Sequence, residues 1–184
     1  MDISYKSGDK KLITATVLIG VSGSGKSTSI SDGALGQVCS TDKYVENYAK
    51  DRGLNYSDAF DKIQEENLFK DFTRLFYIDI EHCIRDDVDF VVDRTNLTIG
   101  SRKALIRTLH EIVEKWQGSK NVNKEIEIKG ISFEIPKDVV KKRLEERVKT
   151  TGKSIPEEVI DKQFEAFELP TIEEGFDKLE RVTV

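Results

Sequence analysis

The sequence has few of the residues that hold small proteins together through covalent or metal links. It contains two cysteines, Cys39 and Cys83, without a C-x-x-C pair, and two histidines, His82 and His110, that stand far apart. A disulfide framework and a zinc site are therefore unexpected. No apolar run approaches the roughly 18 residues of a membrane span, and Met1–Lys11 lacks the apolar core of a secretory signal. We expect a soluble, cytoplasmic protein with no membrane partner.

Strong charge of one sign and linker-like segments are also absent. The 184 residues carry a formal net charge of −5, are 38% hydrophobic, and contain no internal repeat and no proline- and glycine-rich stretch. A chain of this size and composition can bury one full core, so we expect a single domain over residues 1–184. Because the chain is not basic overall, any contact with nucleic acid must be local.

What is present is an alternation of apolar, β-rich segments with helical patterns. This alternation is typical of an α/β fold in which helices flank a mainly parallel sheet in three layers. Two segments between the strands repeat apolar residues at three- and four-residue steps, as helices do. A later helix is predicted from Ser154 as N-cap, with Pro156 in its first turn and Glu157 reaching back, to about Phe167. The predicted strands are Thr14–Gly20, Gln37–Ser40, Asp89–Val92, Glu125–Phe133 and Leu179–Val184.

The first predicted strand runs into Gly20-Val-Ser-Gly-Ser-Gly-Lys-Ser27, which fits G-x-x-x-x-G-K-[ST] at every fixed position. A phosphate-binding loop needs this place between a strand and a helix, because its glycines and the helix end direct N–H groups at a phosphate. Lys26 would reach the β- and γ-phosphates of ATP, and the Ser27 hydroxyl would bind Mg²⁺. The residues predicted to bind the nucleotide are Gly20, Ser22, Gly23, Ser24, Gly25, Lys26, Ser27 and Thr28.

Two classes of P-loop protein are excluded by missing motifs. The guanine-binding pattern N-K-x-D of GTPase switches fails at Asn123-Lys-Glu-Ile126, and nothing resembles the L-S-G-G-Q signature of transporter ATPases. A small phosphotransferase is the remaining interpretation, since a P-loop alone does not name a reaction.

Two later strands each end on a carboxylate. The second predicted strand runs into Thr41-Asp42, and the third runs into Asp93. Because ligands of open α/β sheets lie beyond the carboxyl ends of the strands, we expect both side chains beside the phosphate loop. Asp93 fits an acid that supports Mg²⁺, and Asp42 is left to face an acceptor hydroxyl. The alternative for each is an Asp that merely caps the next helix.

With these motifs the chain resembles the polynucleotide 5′-hydroxyl kinases of phages and of eukaryotic DNA repair. Four blocks carry the resemblance: "GVSGSGKST", "CSTDKY", "VVDRTNL" and "KKRLEERVKTTGKSIPEEVIDKQFEAFELPTIEEGF". The resemblance implies that Asp42 is the general base for a 5′-hydroxyl of DNA or RNA and that Asp93 lies in the active site. It also implies that Arg143 and Arg147 belong to a mobile helical lid, and that the protein works in the cytoplasm of a cell or of a phage-infected host.

The arginine pair is also notable without the family. Arg143 and Arg147 are four residues apart on a predicted helix, so their guanidinium groups share a face and repel unless an anion lies between them. The predicted lid, residues 137–153, has seven basic and three acidic residues, whereas residues 154–184 have three basic and nine acidic. A solvated helix face with Lys/Glu pairs is the alternative to a lid.

One departure from the phage enzymes concerns the acceptor. Where these carry an arginine three residues past the base, this chain has Val45. Other candidates for the acceptor contact are Lys43, Arg52, Arg94 and Asn96. The departure keeps open a kinase of another hydroxyl: a nucleoside, a tRNA-linked residue or a hydroxymethylated base in phage DNA. A module that binds ATP without transferring phosphate is a third alternative.

Asp87-Val-Asp89-Phe-Val91 has the form D-x-D-x-V of the phosphatase motif in bifunctional relatives. In such phosphatases the aspartates follow an apolar strand, whereas here they precede one. We therefore expect a kinase without a phosphatase.

Overall fold

The computed structural model describes residues 11–30, 35–120, 124–151 and 153–184. Its centre is a sheet of five parallel strands in the spatial order β2-β3-β1-β4-β5. Every predicted strand is found, with ends within three residues of the predicted ones. The strands are β1 (Lys11–Ile19), β2 (Gln37–Ser40), β3 (Phe90–Asp93), β4 (Lys124–Phe133) and β5 (Lys178–Val182).

Helices connect the strands, as parallel pairing requires. The two helices predicted from apolar periodicity are α4 and α5, and the predicted lid is α6. None of the helices in the described ranges is long and apolar enough to cross a bilayer. The helices are α1 (Lys26–Ile30), α2 (Asp42–Arg52), α3 (Tyr56–Glu65), α4 (Phe69–Arg85), α5 (Ile99–Lys120), α6 (Lys137–Thr151) and α7 (Glu157–Glu165), followed by a 3₁₀ turn (Ile172–Glu174).

The sheet has apolar clusters on both faces, which confirms the three-layer architecture. Alternate residues of β1 point to opposite faces, so Ile19 packs in one cluster and Leu18 in the other. The first cluster joins β1, β3 and β4 to α4 and α5, and the second joins the sheet to α6 and α7 through Val140 and Ile160. The site therefore lies on a sheet fixed from both sides.

A third cluster joins α2 and α3 beside the second strand. It contains Val45, Tyr48, Ala49, Ala59 and Ile63. Val45 is 2% exposed, so this position faces α3 and belongs to the packing between the helices. The residue at the position where the phage polynucleotide kinases carry an arginine is thus a core residue of this protein.

The predicted start of the helix after α6 is wrong. The helix α7 begins at Glu157, and Pro156 is its N-cap in an extended conformation with ψ 139°. Proline also disfavours a helical residue before it, so Ser154 and Ile155 lie outside the helix. The Glu157 carboxylate pairs with the ammonium of Lys141 on α6 instead of reaching back. Part of the polar turn predicted at Lys120–Lys124, residues 121–123, lies outside the described residues.

Candidate active site

The loop after β1 has the backbone of a phosphate cradle. Gly23 and Gly25 have φ values of 82° and 104°, a region that favours glycine. A Cβ at Gly23 would lie 2.8 Å from the side chain of Leu144, so α6 packs directly on the loop. The hydroxyl of Ser24 is buried and has no hydrogen-bond partner among the described residues. The loop therefore has the glycine-dependent backbone of a phosphate cradle, with α6 packed on it.

Lys26 is held inside this loop. Its side chain is 8% exposed, and its Nζ donates to the carbonyl oxygens of Gly20 and Val21, each at 2.8 Å. Burial lowers the pKa of Lys26 to about 8, against the opposing influence of the Asp93 and Asp42 carboxylates. The two carboxylates favour the charged form of Lys26, and this positive charge is what a triphosphate would bind.

Asp42 and Asp93 meet at the same sheet edge as Lys26, as predicted. Ser40 at the end of β2 is paired in register with Asp93 at the end of β3, so the two strands end level. Burial raises the pKa of the Asp93 carboxyl, Lys26 opposes this, and the Asp42 carboxylate adds to it. Neither acid is a helix cap: Asp42 is the first residue of α2 after the N-cap Thr41, and Asp93 is followed by a loop.

The helix α6, which is the predicted lid, contacts the loop through Arg143. Arg143 Nη1 donates to the Ser24 carbonyl oxygen at 2.9 Å, and the charge of Arg147 acts on Lys26. Both arginines line a cavity of about 1030 Å³, together with residues 23–29 and residues 182–184. This volume lies at the upper end of small-molecule pockets and suits a nucleoside triphosphate.

Two residues at the carboxyl end of the sheet, Ser27 after the loop and Asp93 at the end of β3, have side chains of the kind that bind a magnesium ion. The exposed hydroxyl of Ser27 and the half-buried carboxylate of Asp93 provide oxygen ligands, which Mg²⁺ prefers together with phosphate oxygens. The raised pKa of Asp93 indicates a carboxylate that gains from a nearby cation.

The predicted acceptor residues are all engaged within the protein. Asn96 has a φ of 47° and donates from Nδ2 to the Leu18 carbonyl oxygen at 2.8 Å, so it ties the loop after β3 to β1. The guanidinium of Arg94 lies 5.2 Å from the centre of the Phe76 ring. Their predicted role in binding an acceptor stays a prediction.

Two other cations lie on α2. Lys43 Nζ is 3.6 Å from a carboxylate oxygen of Asp79, and the guanidinium of Arg52 stacks 3.7 Å from the centre of the Tyr48 ring. Each has a partner that an acceptor phosphate would have to share or displace.

The aspartates of the phosphatase-like motif have structural partners. Asp87 pairs with Lys124 and with Lys11, and Asp89 Oδ1 accepts from the Thr14 N–H at 2.7 Å. Both precede β3, at the end of the strand opposite Asp93.

Sequence reasoning missed two supports of the site. The N–H of Ser22 donates to Gln163 Oε1 of α7 at 2.7 Å.

Arg102 is fully buried and forms a bidentate pair with Glu174, with distances of 2.6 and 2.8 Å. Its Nη1 also donates to the carbonyl oxygens of Asn96 and Leu97, so it fixes the loop that follows Asp93. Gln163 and Glu174 lie in the segments "KQFEA" and "EGF" of the fourth block that resembles the polynucleotide kinases. This resemblance was the one signal in the sequence that could have pointed to them.

The lowered pKa of Lys26 has a measurable consequence. Above about pH 8 the ligand-free protein holds Lys26 partly neutral, whereas a bound triphosphate favours its charged form. We therefore expect a non-hydrolysable ATP analogue to bind with net uptake of a proton fraction above about pH 8, and with affinity that falls as the pH rises. Calorimetry in two buffers of different ionisation enthalpy measures the uptake, and Lys26→Arg, whose guanidinium stays charged at these pH values, is the control. Equal uptake by this variant would assign the proton to another group.

Comparisons with known proteins agree with this geometry. The family model described as an AAA domain matches residues 16–170. Many solved structures share the fold, among them the following three kinases. A candidate kinase from Chloroflexus aurantiacus J-10-fl is 14% identical, with coverage of 93% of this chain and 85% of its own and a TM-score of 0.66. A fungal RNA kinase is 15% identical over 94% of this chain and 75% of its own, with a TM-score of 0.59. A sugar kinase from Janibacter sp. HTCC2649 is 18% identical over 94% and 84%, with a TM-score of 0.51.

No curated protein sequence matches the chain. At identities of 14–18% the solved structures show a shared fold. The family model covers far more than half of the 184 residues and includes the phosphate loop, Asp42, Asp93 and both arginines of α6. The chain therefore belongs to the AAA domain family, with a P-loop, kinase-like α/β fold.

Proposed function

We propose that the protein is a kinase that transfers the γ-phosphoryl group of ATP to the 5′-hydroxyl of DNA or RNA. The observation that carries the proposal is the meeting of Lys26, Asp42 and Asp93 at one sheet edge, with Arg143 of α6 bonded to the loop. A phosphate cradle alone would serve a switch or a motor. Asp42 adds a carboxylate that neither caps a helix nor belongs to the phosphate loop. Such a carboxylate is what a site needs to orient an acceptor hydroxyl.

In the proposed reaction the acceptor oxygen forms a bond to the γ-phosphorus as the bond to the β,γ-bridging oxygen breaks, and ADP leaves. Asp42 orients the hydroxyl and takes its proton late, since a carboxylate is a weak base for an alcohol. Lys26, Arg143 and Arg147 stabilise the charge spread over the transferred oxygens. Ser27 and Asp93 would hold Mg²⁺, which supplies further charge neutralisation at the phosphates when bound.

Support for a polynucleotide acceptor comes from the four sequence blocks. A fungal RNA kinase shares the fold, which is compatible with this acceptor. A sugar kinase also shares the fold, so the fold alone does not identify the acceptor. The residues around Asp42 must determine which hydroxyl is phosphorylated.

A second candidate is a kinase of a smaller or less anionic hydroxyl compound. The observation in its favour is the acidic charge of α3, which packs against α2, the helix that begins with Asp42. The helix α3 carries three acids and one base, and the position of the family arginine is the buried Val45. The cations Lys43 and Arg52 already have partners on the protein.

A panel of acceptors with γ-labelled ATP tests the proposal. We expect label on 5′-hydroxyl oligonucleotides of DNA or RNA and none on the same oligonucleotides already carrying a 5′-phosphate. Label only on nucleosides or on DNA with hydroxymethylated bases would select the second candidate. ATP hydrolysis that no acceptor alters would indicate a module that does not transfer phosphate.

A further inference from the structure

The first turn of α2 is bonded to α4. The hydroxyl of Tyr44 donates to Asp79 Oδ2 of α4 at 2.6 Å, and the ammonium of Lys43 lies 3.6 Å from the same oxygen. Two consecutive residues of α2 therefore meet one carboxylate of the neighbouring helix. Asp42, the proposed base, immediately precedes them at the start of α2.

The contact made by Tyr44 is the stronger of the two. A hydroxyl that donates to a carboxylate forms a charge-assisted hydrogen bond, about twice as strong as a neutral one. Burial and the Asp79 carboxylate both raise the pKa of Tyr44, so the hydroxyl keeps its proton for this bond. The Lys43 side chain is 50% exposed, and an ion pair open to water contributes little. The bond between Tyr44 and Asp79 is therefore the main polar link from this turn to α4.

The Tyr44 ring is supported as well as its hydroxyl. Its centre lies 5.8 Å from the centre of the Phe72 ring on α4. Phe72 and Asp79 are seven residues apart, which is two helical turns, so they share one face of α4. Phe72 also packs against the cluster that joins α2 and α3. A partly buried ring with this support has few rotamers, and its hydroxyl is directed at Asp79.

The direction of Asp42 follows from this anchor. Asp42 and Tyr44 are two residues apart, which places their side chains about 200° apart around the axis of α2. With Tyr44 turned to α4, the exposed Asp42 carboxylate is turned away from it and acts on Lys26 and Asp93. The backbone of the turn is held separately, because the Asp42 N–H donates to Ser40 Oγ at 3.2 Å. The turn is thus fixed at its backbone and on the side opposite the carboxylate.

We propose that Tyr44 and Asp79 are positioning residues for Asp42, since their hydrogen bond fixes the helix turn from which this carboxylate projects. The inference rests on the proposed function, which assigns Asp42 to the acceptor hydroxyl. The ends of helices open locally at little cost, so a first turn without this bond would let Asp42 move. A displacement of about 1 Å at a reacting group can cost about 100-fold in rate. The bond therefore contributes to kcat, whereas ATP is held by the loop and by Lys26.

Tyr44→Phe tests the inference, since it removes the hydroxyl and keeps the ring against Phe72. We expect kcat for the acceptor that the panel identifies to fall about ten-fold, with unchanged KM for ATP and a melting temperature lowered by less than about 4 °C. In an Asp42→Asn background the same change should have no further effect on kcat, because both residues act through one carboxylate. Tyr77→Phe, which removes a hydroxyl from a residue packed against the core on α4, is the control and should behave like the wild type.

Asp79 offers a conservative and a disruptive variant. Asp79→Asn keeps a side-chain oxygen that accepts from the Tyr44 hydroxyl, so kcat should fall by no more than about three-fold. Asp79→Leu removes the acceptor and should reproduce the ten-fold loss of Tyr44→Phe, with no further loss when the two changes are combined. Equal losses in the Asn and Leu variants would assign the effect of Asp79 to its charge and overturn the hydrogen bond as the positioning contact.

The outcomes separate the inference from the proposed function. Full activity of Tyr44→Phe together with an inactive Asp42→Asn overturns the inference alone. A loss of kcat that persists in the Asp42→Asn background, or that comes with an equal loss of ATP affinity, overturns it as well, because Tyr44 would then support the whole site. An active Asp42→Asn protein, or a wild type that phosphorylates no acceptor, overturns the assignment of the base and the inference with it.

Discussion

Asp42→Asn should reduce phosphoryl transfer about 1000-fold while leaving ATP affinity within two- to three-fold of the wild type. The amide keeps the size and the hydrogen-bonding reach of the carboxylate, but it cannot take the proton of the acceptor. ATP is held by the loop and by Lys26, whose Nζ lies in the loop and not on α2. Transfer of label from γ-labelled ATP and calorimetric binding of a non-hydrolysable analogue measure the two effects separately.

Two further variants make the result specific. Asp51→Asn removes an exposed carboxylate from the same helix and should leave both transfer and binding unchanged. Lys26→Ala removes the cation of the loop and should impair transfer and binding together. If Asp42→Asn kept its activity, another group would have to orient the acceptor, and the role of Asp42 would reduce to its charge next to Lys26 and Asp93.

The parts of the site that the sequence predicts are those specified locally. The phosphate loop is eight consecutive residues with fixed geometry, and it follows a strand whose apolar residues mark it. Asp42 and Asp93 could be brought to the same edge because parallel strands share a direction. Knowledge of the strand ends was therefore sufficient to place two carboxylates beside Lys26.

The supports of the site could not be predicted in this way because they join distant segments. Ser22 and Gln163 are 141 residues apart, and Arg102 and Glu174 are 72 apart. No periodicity connects such pairs, and only the packing of α5 and α7 on the sheet brings them together. The burial of Val45 depends in the same way on α3, whose contact with α2 no short-range pattern shows.

Arg102→Met should lower the free energy of unfolding by about 3–5 kcal/mol, the largest stability loss that we expect for a single polar residue of this chain. The Arg102 and Glu174 side chains are 0% and 2% exposed, so the change leaves a carboxylate buried without its cation. The carbonyl oxygens of Asn96 and Leu97 lose a donor as well. For a chain of this length the loss corresponds to a melting temperature about 10 °C lower, measurable by calorimetry or circular dichroism.

The matched control lies on the same helix. Arg107 and Glu111 form an ion pair at 3.8 Å with side chains 74% and 63% exposed, so Arg107→Met should change stability by less than about 0.5 kcal/mol. Adding Glu174→Gln to Arg102→Met should recover part of the loss, because the uncompensated charge is then removed and the amide oxygen can still accept from the Thr171 N–H. A double variant no more stable than the single one would assign the cost to the two carbonyls of the loop after β3. In that case Arg102 would act mainly by holding the loop that follows Asp93. Transfer activity should then fall in Arg102→Met and in the double variant alike.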